Sequence, residues 1–346
     1  MSEPAVANRS PHSRLRRRRR WIITGAVLIL ILVGILVRGP AAPTPTAPGA
    51  IAFAVLGDAP YYQWEELQYR IVLQDLNAHD LEWVIHVGDI FWRPCSDLRY
   101  EQAFADLMRV RHPVIYTPGD NEWTDCWEER VGSYVPLERL SHLRNLFFKE
   151  PTRSLGGRRI EVTTQAAQPE FKEFPENIRF LQRAILVVTI HLVGSRNGWS
   201  RSTGRTQADD DEIGRRTRAA AAWVRESFAA ARQADAIAMV IALHANPGFE
   251  NAPTDSFRQL YDPFTATLED EAAAFDRPIL LVNGNNHDYF VDRPLTHRVT
   301  SRHLDHVERV QVPGSPQVGW VRVEVALGSR VSFRFEPRIV PQWKYW

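Results

Sequence analysis

The stretch Ile51-Ala-Phe-Ala-Val-Leu-Gly-Asp58 runs from an apolar segment directly into a glycine and an acid. The same ending follows the next two apolar segments, at Gly88-Asp89 and at Gly119-Asp120. Short apolar runs of this kind are typical of strands that are buried on both faces. Amphipathic stretches separate the runs, and this alternation predicts an α/β layered fold.

Three later apolar runs predict further strands, at 185–190, 237–243 and 279–282, with an alanine-rich helix at about 212–232 between the first two. His244 follows the strand at 237, and Asn285 and His287 follow the strand at 279. Ligands of open α/β sheets bind beyond the carboxyl ends of the strands. Carboxylates, amides and imidazoles without a thiolate suit Mn, Fe, Zn, Mg or Ca. A single Gly-Asp after a strand is also an ordinary turn or helix cap. The predicted metal site therefore depends on all five strand ends together, three that end in Gly-Asp and two that are followed by histidines.

This order of motifs resembles the calcineurin-like metallophosphoesterases, which include purple acid phosphatases and phosphodiesterases, over residues 51–290. The segments Gly57-Asp-Ala-Pro-Tyr61 and Tyr116-Thr-Pro-Gly-Asp-Asn-Glu-Trp-Thr-Asp-Cys126 resemble one bacterial branch of that superfamily. The resemblance implies a four-layer αββα sandwich of two mixed β-sheets flanked by helices. Residues 310–335 resemble the closing strands of its second sheet. The implied activity is hydrolysis of a phosphoester substrate by a metal-activated hydroxide.

The resemblance also implies roles for single residues around one or two divalent cations. It assigns the first cation to Asp58 and His287, the second to Asp120 and His244, and a bridging position to Asp89. Asn285 is a further predicted ligand. His244 and Asn121 are the predicted catalytic residues, and Asn121 is also a predicted donor to the substrate phosphate. From their own chemistry, Arg196 and Asn197 suit phosphate oxygens beyond the strand at 185, although a surface turn explains them equally well.

Three positions depart from the family pattern, because Pro60, Asn121 and Asn285 stand where the family has histidines. These changes shift the ligand set from nitrogen toward oxygen, and Asp120 adds a charge where the family has Asn. A dinuclear site that prefers Mn, Mg or Ca, a mononuclear site and a degenerate site all fit. Tyr61 or Tyr62 is a candidate phenolate ligand, with packing or surface exposure as the alternative. The alternative function is a degenerate fold that binds a ligand or partner at the cell envelope.

The two cysteines, Cys95 and Cys126, each follow a strand-end acid by six residues. Loops that leave neighbouring strand ends can bring them together, and a disulfide is a plausible pairing in an oxidising compartment. Closing a loop of about thirty residues contributes roughly 3 to 4 kcal/mol in the chain-entropy model. Two buried free thiols are the alternative.

The charge of the chain is divided unevenly. Its composition, 44% hydrophobic and 24% charged residues, excludes a disordered or collagen-like chain, and the net charge is +1. Residues 1–40 carry eight arginines and one acid, a balance of +7, which leaves −6 for residues 41–346. Because five arginines directly precede an uncharged apolar run, we expect no nucleic-acid binding and interpret the run as a membrane span.

The predicted organisation is a basic cytoplasmic tail at 1–20, a transmembrane helix at 21–38, a proline-rich stalk at 39–49 and one domain at 50–346. The lipid bilayer is then a partner of the chain, and the main domain is periplasmic or extracellular. A cleaved signal peptide and a secreted domain are the alternative, although no Ala-x-Ala cleavage pattern occurs between residues 38 and 50.

Overall fold

The computed structural model describes residues 42–201, 203–328 and 331–341. Residues from Pro43 onward form one compact unit. The predicted cytoplasmic tail and transmembrane helix lie outside the described residues. Within the described ranges, none of the helices combines the length and the apolar character that crossing a bilayer requires.

The described part of the compact unit contains twelve strands and five helices of two or more turns. The strands are β1 (Ala50–Leu56), β2 (Val84–His86), β3 (Val114–Tyr116), β4 (Thr163–Thr164), β5 (Ile178–Gln182), β6 (Ile185–Ile190), β7 (Ala238–Leu243), β8 (Ile279–Asn283), β9 (Phe290–Asp292), β10 (Val307–Gln311), β11 (Gly319–Leu327) and β12 (Val331–Ile339). The helices are α1 (Glu65–Ala78), α2 (Asp97–Met108), α3 (Pro136–Phe147), α4 (Gln207–Gln233) and α5 (Phe264–Ala273), and a four-residue helical turn occupies Gly194–Asn197.

The strands form two mixed sheets. The first has the order β12-β11-β1-β2-β3 and the second the order β4-β5-β6-β7-β8-β10-β9. β1, β2 and β3 run parallel, as do β6, β7, β8 and β10. The prediction that residues 310–335 close the second sheet is wrong for β11 and β12. β11 pairs antiparallel with β1, and its alternating valines face the same inter-sheet core as Ile51, Phe53 and Val55 of β1.

The two sheets pack face to face between helical layers. Side chains such as Phe53, Val55, Val240, Val282 and Val323 fill the space between the sheets. Helices α1, α2 and α3 cover the outer face of the first sheet, and α4 and α5 cover that of the second. The predicted α/β fold with two mixed sheets flanked by helices is therefore confirmed in the described residues.

The predicted stalk lies against the folded unit over its last residues. Thr44 donates a hydrogen bond to Glu336 of β12, and Arg322 of β11 donates to the hydroxyl of Thr46 at 2.9 Å. The backbone N–H of Ala47 points to Glu324 at 3.4 Å. The compact unit thus begins seven residues before the predicted boundary at Ala50.

A buried ion pair connects α3 to the second sheet. The guanidinium of Arg144 lies 2.6 Å from Glu176, and Nδ1 of His191 lies 2.6 Å from the same carboxylate. Burial raises the pKa of Glu176, but the charge of Arg144 and the hydrogen bond from His191 outweigh burial and lower this pKa to about 2. The carboxylate is therefore charged in the folded protein at neutral pH.

Candidate metal centre

The predicted ligands leave the strand ends in an uncommon backbone conformation. Asp58 follows β1 with φ 54°, and Asp89 follows β2 with φ 53°. Beyond β8, Asn285 and His287 have φ values of 72° and 67°. Left-handed backbone is uncommon outside glycine, although Asp, Asn and His adopt it more readily than other residues do, and such residues often cluster at functional sites. Here it turns the four side chains back across the sheet edge.

Five of the predicted ligands form two overlapping groups. Asp58, Asp89 and His287 each offer a ligand atom, and these atoms lie within 4.8 Å of one another. Asp89, Asp120 and His244 form a second group that meets the same limit. Asp89 belongs to both, which is the arrangement that two neighbouring cations with one shared carboxylate require.

Both histidines are oriented by backbone carbonyls. Nδ1 of His244 lies 2.8 Å from the carbonyl of Val87, and Nδ1 of His287 lies 2.8 Å from the carbonyl of Ser315. A carbonyl only accepts, so Nδ1 carries the proton in each ring and Nε2 faces the acids. Nε2 of His244 lies 2.7 Å from Oδ1 of Asp120. With Nδ1 on a carbonyl and Nε2 toward the acids, the ring has the orientation of a metal-binding histidine.

Asn285 lies on the side of the second group. A Cβ atom added to Gly194 would lie 1.6 Å from Oδ1 of Asn285 and 2.6 Å from Oδ1 of Asp120. The two oxygens therefore occupy the space beside this glycine, and any larger residue would push them apart. The backbone N–H of Gly194 also donates to Oδ1 of Asp120 at 3.1 Å.

The buried carboxyl groups of the centre outnumber the positive charges beside them, and their pKa values are shifted. Burial raises the pKa of Asp58 to about 7 and that of Asp89 to about 8, although the charge of His244 lowers both. Burial would lower the pKa of His244, but Asp89, Asp120 and Asp58 together raise it well above its usual value. Burial raises the pKa of Asp120, but the contacts with His244 and Ser195 outweigh burial and lower it.

The donor set fits divalent cations. Oδ2 of Asp58 is buried and has no hydrogen-bond partner among the described residues, which is costly unless an ion or another group satisfies it. Three carboxylates, two correctly oriented imidazoles and an amide oxygen are the ligand types that Mn, Zn, Mg and related cations use. The residues present therefore match one or two such ions.

Tyr61 is part of the centre, whereas Tyr62 points away from it. The hydroxyl of Tyr61 donates a hydrogen bond to Oδ2 of Asp89, and its ring lies 5.1 Å from that of His287. Burial, together with Asp89 and Asp58, raises the pKa of Tyr61 well above its usual value, so the phenol stays protonated in the metal-free protein. The ring of Tyr62 stacks on Trp64 instead.

Two buried acids brace the loops, and the sequence analysis missed both. Glu122 accepts hydrogen bonds from the backbone N–H groups of Ile90 and Gly119, at 2.9 and 3.0 Å, and so connects the loops after β2 and β3. Glu65, at the start of α1, accepts from the hydroxyl of Ser315 and from the N–H of Tyr61, both at 2.7 Å. The position of Glu122 two residues after Asp120 was a local signal, but nothing local indicates the partners of Glu65.

A serine hydroxyl lies between two acids of the second group. Oγ of Ser195 lies 2.9 Å from Oδ2 of Asp120 and 2.7 Å from Oδ2 of Asp125. A hydroxyl has one hydrogen and can donate to only one of them. Burial, with the charge of Asp120, raises the pKa of Asp125 to about 8, which lets its carboxyl group supply the second hydrogen.

The three predicted substrate-binding residues have different surroundings. Arg196 is exposed and makes no ion pair with any described residue, and the backbone N–H of Asn121 donates to Oδ1 of Asp89 at 3.0 Å. The prediction that Asn197 binds substrate is wrong, because its side chain is buried and makes its hydrogen bonds within the protein. Its amide group donates to Thr217 and to the carbonyl of Leu260, and its oxygen accepts from Arg216.

A disulfide joins Cys95 to Cys126, with Cα atoms 5.8 Å apart and a sequence separation of 31. Both sulfurs lie against the carbonyl of Asn121, at 3.6 and 3.5 Å. The bridge therefore ties the loop after β2 to the loop that carries Asp120 and Asn121.

Comparisons with known proteins identify the fold. No protein-family model and no curated protein matches the sequence. Among solved structures, "Structure of PhoD" matches with a TM-score of 0.50 and 10% identity, covering 88% of this chain and 73% of that chain. The protein TT1561 of Thermus thermophilus matches with a TM-score of 0.40 and 11% identity, over 83% of this chain and 98% of that one. The likeness to PhoD shows a shared fold and supports, at the level of the fold, the resemblance seen in the sequence motifs.

Proposed function

We propose that this chain, which has the fold expected of a calcineurin-like metallophosphoesterase, is a metal-dependent phosphoester hydrolase. The observation that supports it most directly is the pair of ligand groups that share Asp89. Both groups lie where parallel strands of the two sheets end, and both contain a histidine whose Nε2 faces the acids. Fold likeness alone does not imply an activity, so the proposal depends on this site.

Some residues of the site would bind the cations, and others would bind the substrate. Asp58 and His287 would hold one cation, and Asp120, His244 and Asn285 the other, with Asp89 shared. Bound divalent cations would polarise a phosphoryl oxygen and supply hydroxide at neutral pH. The exposed guanidinium of Arg196 would bind a phosphate oxygen, and the side-chain amide of Asn121 would donate to another.

Metal analysis and phosphoesterase assays test the proposal. The full-length chain should bind one or two divalent cations and hydrolyse a phosphomonoester or diester in the presence of Mn, Zn, Mg or Ca. Asp89→Asn should lose both the cations and the activity, because the shared carboxylate belongs to both groups. Asp276→Asn, at an exposed acid on the loop after α5, is the matched control and should change neither.

A chain that binds no metal, and whose Asp89→Asn variant loses no activity, would overturn the proposal. That result would favour the alternative, a degenerate fold that binds a ligand or partner.

We further propose that residues 21–38 anchor the protein in a membrane, with residues 1–20 in the cytoplasm and the folded unit outside it. The charge asymmetry supports this orientation, and the disulfide suits an oxidising compartment. Membrane fractionation followed by N-terminal sequencing tests it. A soluble product that begins after residue 38 would show a cleaved signal peptide instead.

A further inference from the structure

Three aromatic side chains lie together beside the metal centre, one of them exposed and two half-buried. We call Tyr62, Trp64 and Trp92 the aromatic shelf. The rings of Tyr62 and Trp64 stack with centroids 4.3 Å apart and an interplanar angle of 6°. The ring of Trp92 meets Tyr62 edge to face at 5.4 Å. Trp64 is 56% exposed, so the outer part of this stack faces solvent rather than the core.

The shelf is one side chain away from the candidate metal ligands. The ring of Tyr61 lies 6.3 Å from that of Trp92 and 5.1 Å from that of His287. The same tyrosine donates its hydroxyl to Asp89. Tyr61 therefore neighbours both the metal centre and the shelf, so the shelf lies within reach of a group attached to a phosphate at the centre.

Two arginine side chains lie against the shelf and make its edge positively charged. Arg93 lies 4.3 Å from the ring centroid of Trp92, and Arg130 lies 5.1 Å from it. Arg130 is paired with Glu128, whereas Arg93 is exposed and makes no ion pair with any described residue. This charge favours an anionic molecule and complements the phosphate that the centre would bind.

We propose that the aromatic shelf binds a planar aromatic ring in the leaving group of the phosphoester. This deepens the proposed function and rests on it. Tyr and Trp rings bind a flat aromatic ring by stacking whatever substituents that ring carries, because every aromatic ring has a π face. A saturated group of the same size covers the same apolar area but lacks that interaction. The substrate class is therefore an aryl-bearing or nucleobase-bearing phosphoester.

A matched pair of non-hydrolysable ligands tests the proposal without relying on turnover. Benzylphosphonate and cyclohexylmethylphosphonate have the same carbon framework and charge, and they differ in whether the ring is flat. Their binding to the Mn-loaded full-length chain can be measured by calorimetry. We expect the wild-type chain to prefer benzylphosphonate, and Trp64→Ala or Tyr62→Ala to reduce that preference by roughly 2- to 13-fold, the factor that aromatic pairing contributes beyond the buried area.

Trp199→Ala is the matched control. Trp199 is also exposed, at 37%, and has the guanidinium of Arg205 3.6 Å from its ring, but its ring makes no contact with Tyr61. It should leave the preference unchanged. Equal binding of the two phosphonates by the wild type, or an undiminished preference in both shelf variants, would overturn the shelf proposal.

The failure of the shelf and the failure of the proposed function give different results. Clear hydrolysis of simple phosphoesters without a preference for the flat ring would contradict the shelf alone. Benzyl preference in binding without any hydrolysis would contradict the hydrolase alone. Failure to bind either phosphonate, together with no hydrolysis of any phosphoester, would contradict both.

Discussion

Replacing Glu65 by Ala should weaken one of the two cation positions and leave the other intact. Glu65 is fully buried, and its hydrogen bonds are with Ser315 and Tyr61 rather than with the side chains of Asp58, Asp89 or His287. Its carboxylate accepts the hydroxyl hydrogen of Ser315 at 2.7 Å, and the carbonyl of Ser315 in turn accepts the Nδ1 hydrogen of His287 at 2.8 Å. Its other oxygen accepts the N–H of Tyr61 at 2.7 Å. Glu65 thereby positions two residues on the Asp58 side of the centre.

The expected magnitude follows from these contacts. Loss of a group that orients a metal ligand typically costs 10- to 100-fold in metal affinity, so the Asp58–Asp89–His287 position should weaken by about that factor. Two buried donors, the hydroxyl of Ser315 and the N–H of Tyr61, would lose their acceptor. At about 1 to 3 kcal/mol each, the unfolding free energy should fall by about 2 to 6 kcal/mol.

Two variants separate positioning from general destabilisation. In Glu65→Gln the amide oxygen can still accept from Tyr61 and the amide N–H can donate to Ser315, so the affinity should recover. Glu66→Ala is the matched control, since Glu66 follows in the same turn of α1 but pairs with Arg99 at 2.6 Å near the surface.

The assay is a Mn titration followed by calorimetry, read as two binding steps, together with urea unfolding in the absence of metal. Equal weakening of both steps in Glu65→Ala would refute the reasoning, because a lost fold would affect both positions alike. Unchanged affinity for both cations would also refute it.

Three further predictions concern other parts of the site and fold. Asp120→Asn keeps its hydrogen-bonding geometry toward Ser195 but loses a charge, so the second Mn step should weaken on the order of tenfold. Because contacts with His244 and Ser195 lower the pKa of Asp120, the melting temperature measured without added metal should also fall at pH 7. Cys126→Ser should lower the unfolding free energy by about 3 to 4 kcal/mol in urea, and the reduced wild type should match it. Glu176→Gln should destabilise the protein by about 3 kcal/mol at pH 7, because the folded pKa of about 2 lies below the ordinary 4.5. The difference should vanish as the pH falls from 4.5 through 2. Glu173→Gln is the control, because Glu173 is exposed and forms only a surface pair with Arg215, and it should cost at most about 1 kcal/mol at pH 7.

The strand ends could be predicted because their signals are local. An apolar run followed by glycine and an acid specifies both the strand and the turn that ends it, and β6 at Ile185–Ile190 has the predicted bounds. The parallel arrangement of β1, β2 and β3 then brings the acids to one edge. Periodicity was sufficient for these elements because neighbouring residues determine them.

The contacts that join distant segments could not be predicted in the same way. Glu65 and Ser315 are 250 residues apart in sequence, and nothing near either residue indicates the other. The pairing of β11 with β1 joins segments that lie about 270 residues apart, and many apolar strands could satisfy it equally well. The buried position of Asn197 follows from its contact with Arg216 on α4, so its polar character alone suggested the wrong role.

The departures from the family pattern can be explained together once the contacts are known. Pro60 supplies no ligand, but the next residue, Tyr61, reaches Asp89 with its hydroxyl. Asp120 carries a charge that an asparagine would lack, and Gly194 and Ser195 donate hydrogen bonds to its two oxygens. In both places a carboxylate, Asp89 or Asp120, receives additional hydrogen bonds, and no additional imidazole ligand is present among the described residues. A centre built in this way relies on oxygen ligands held by hydrogen bonds, and for that reason we expect Mn or Mg to support activity better than Zn. Assays with each metal at matched occupancy test this expectation, and the highest activity with Zn would contradict it.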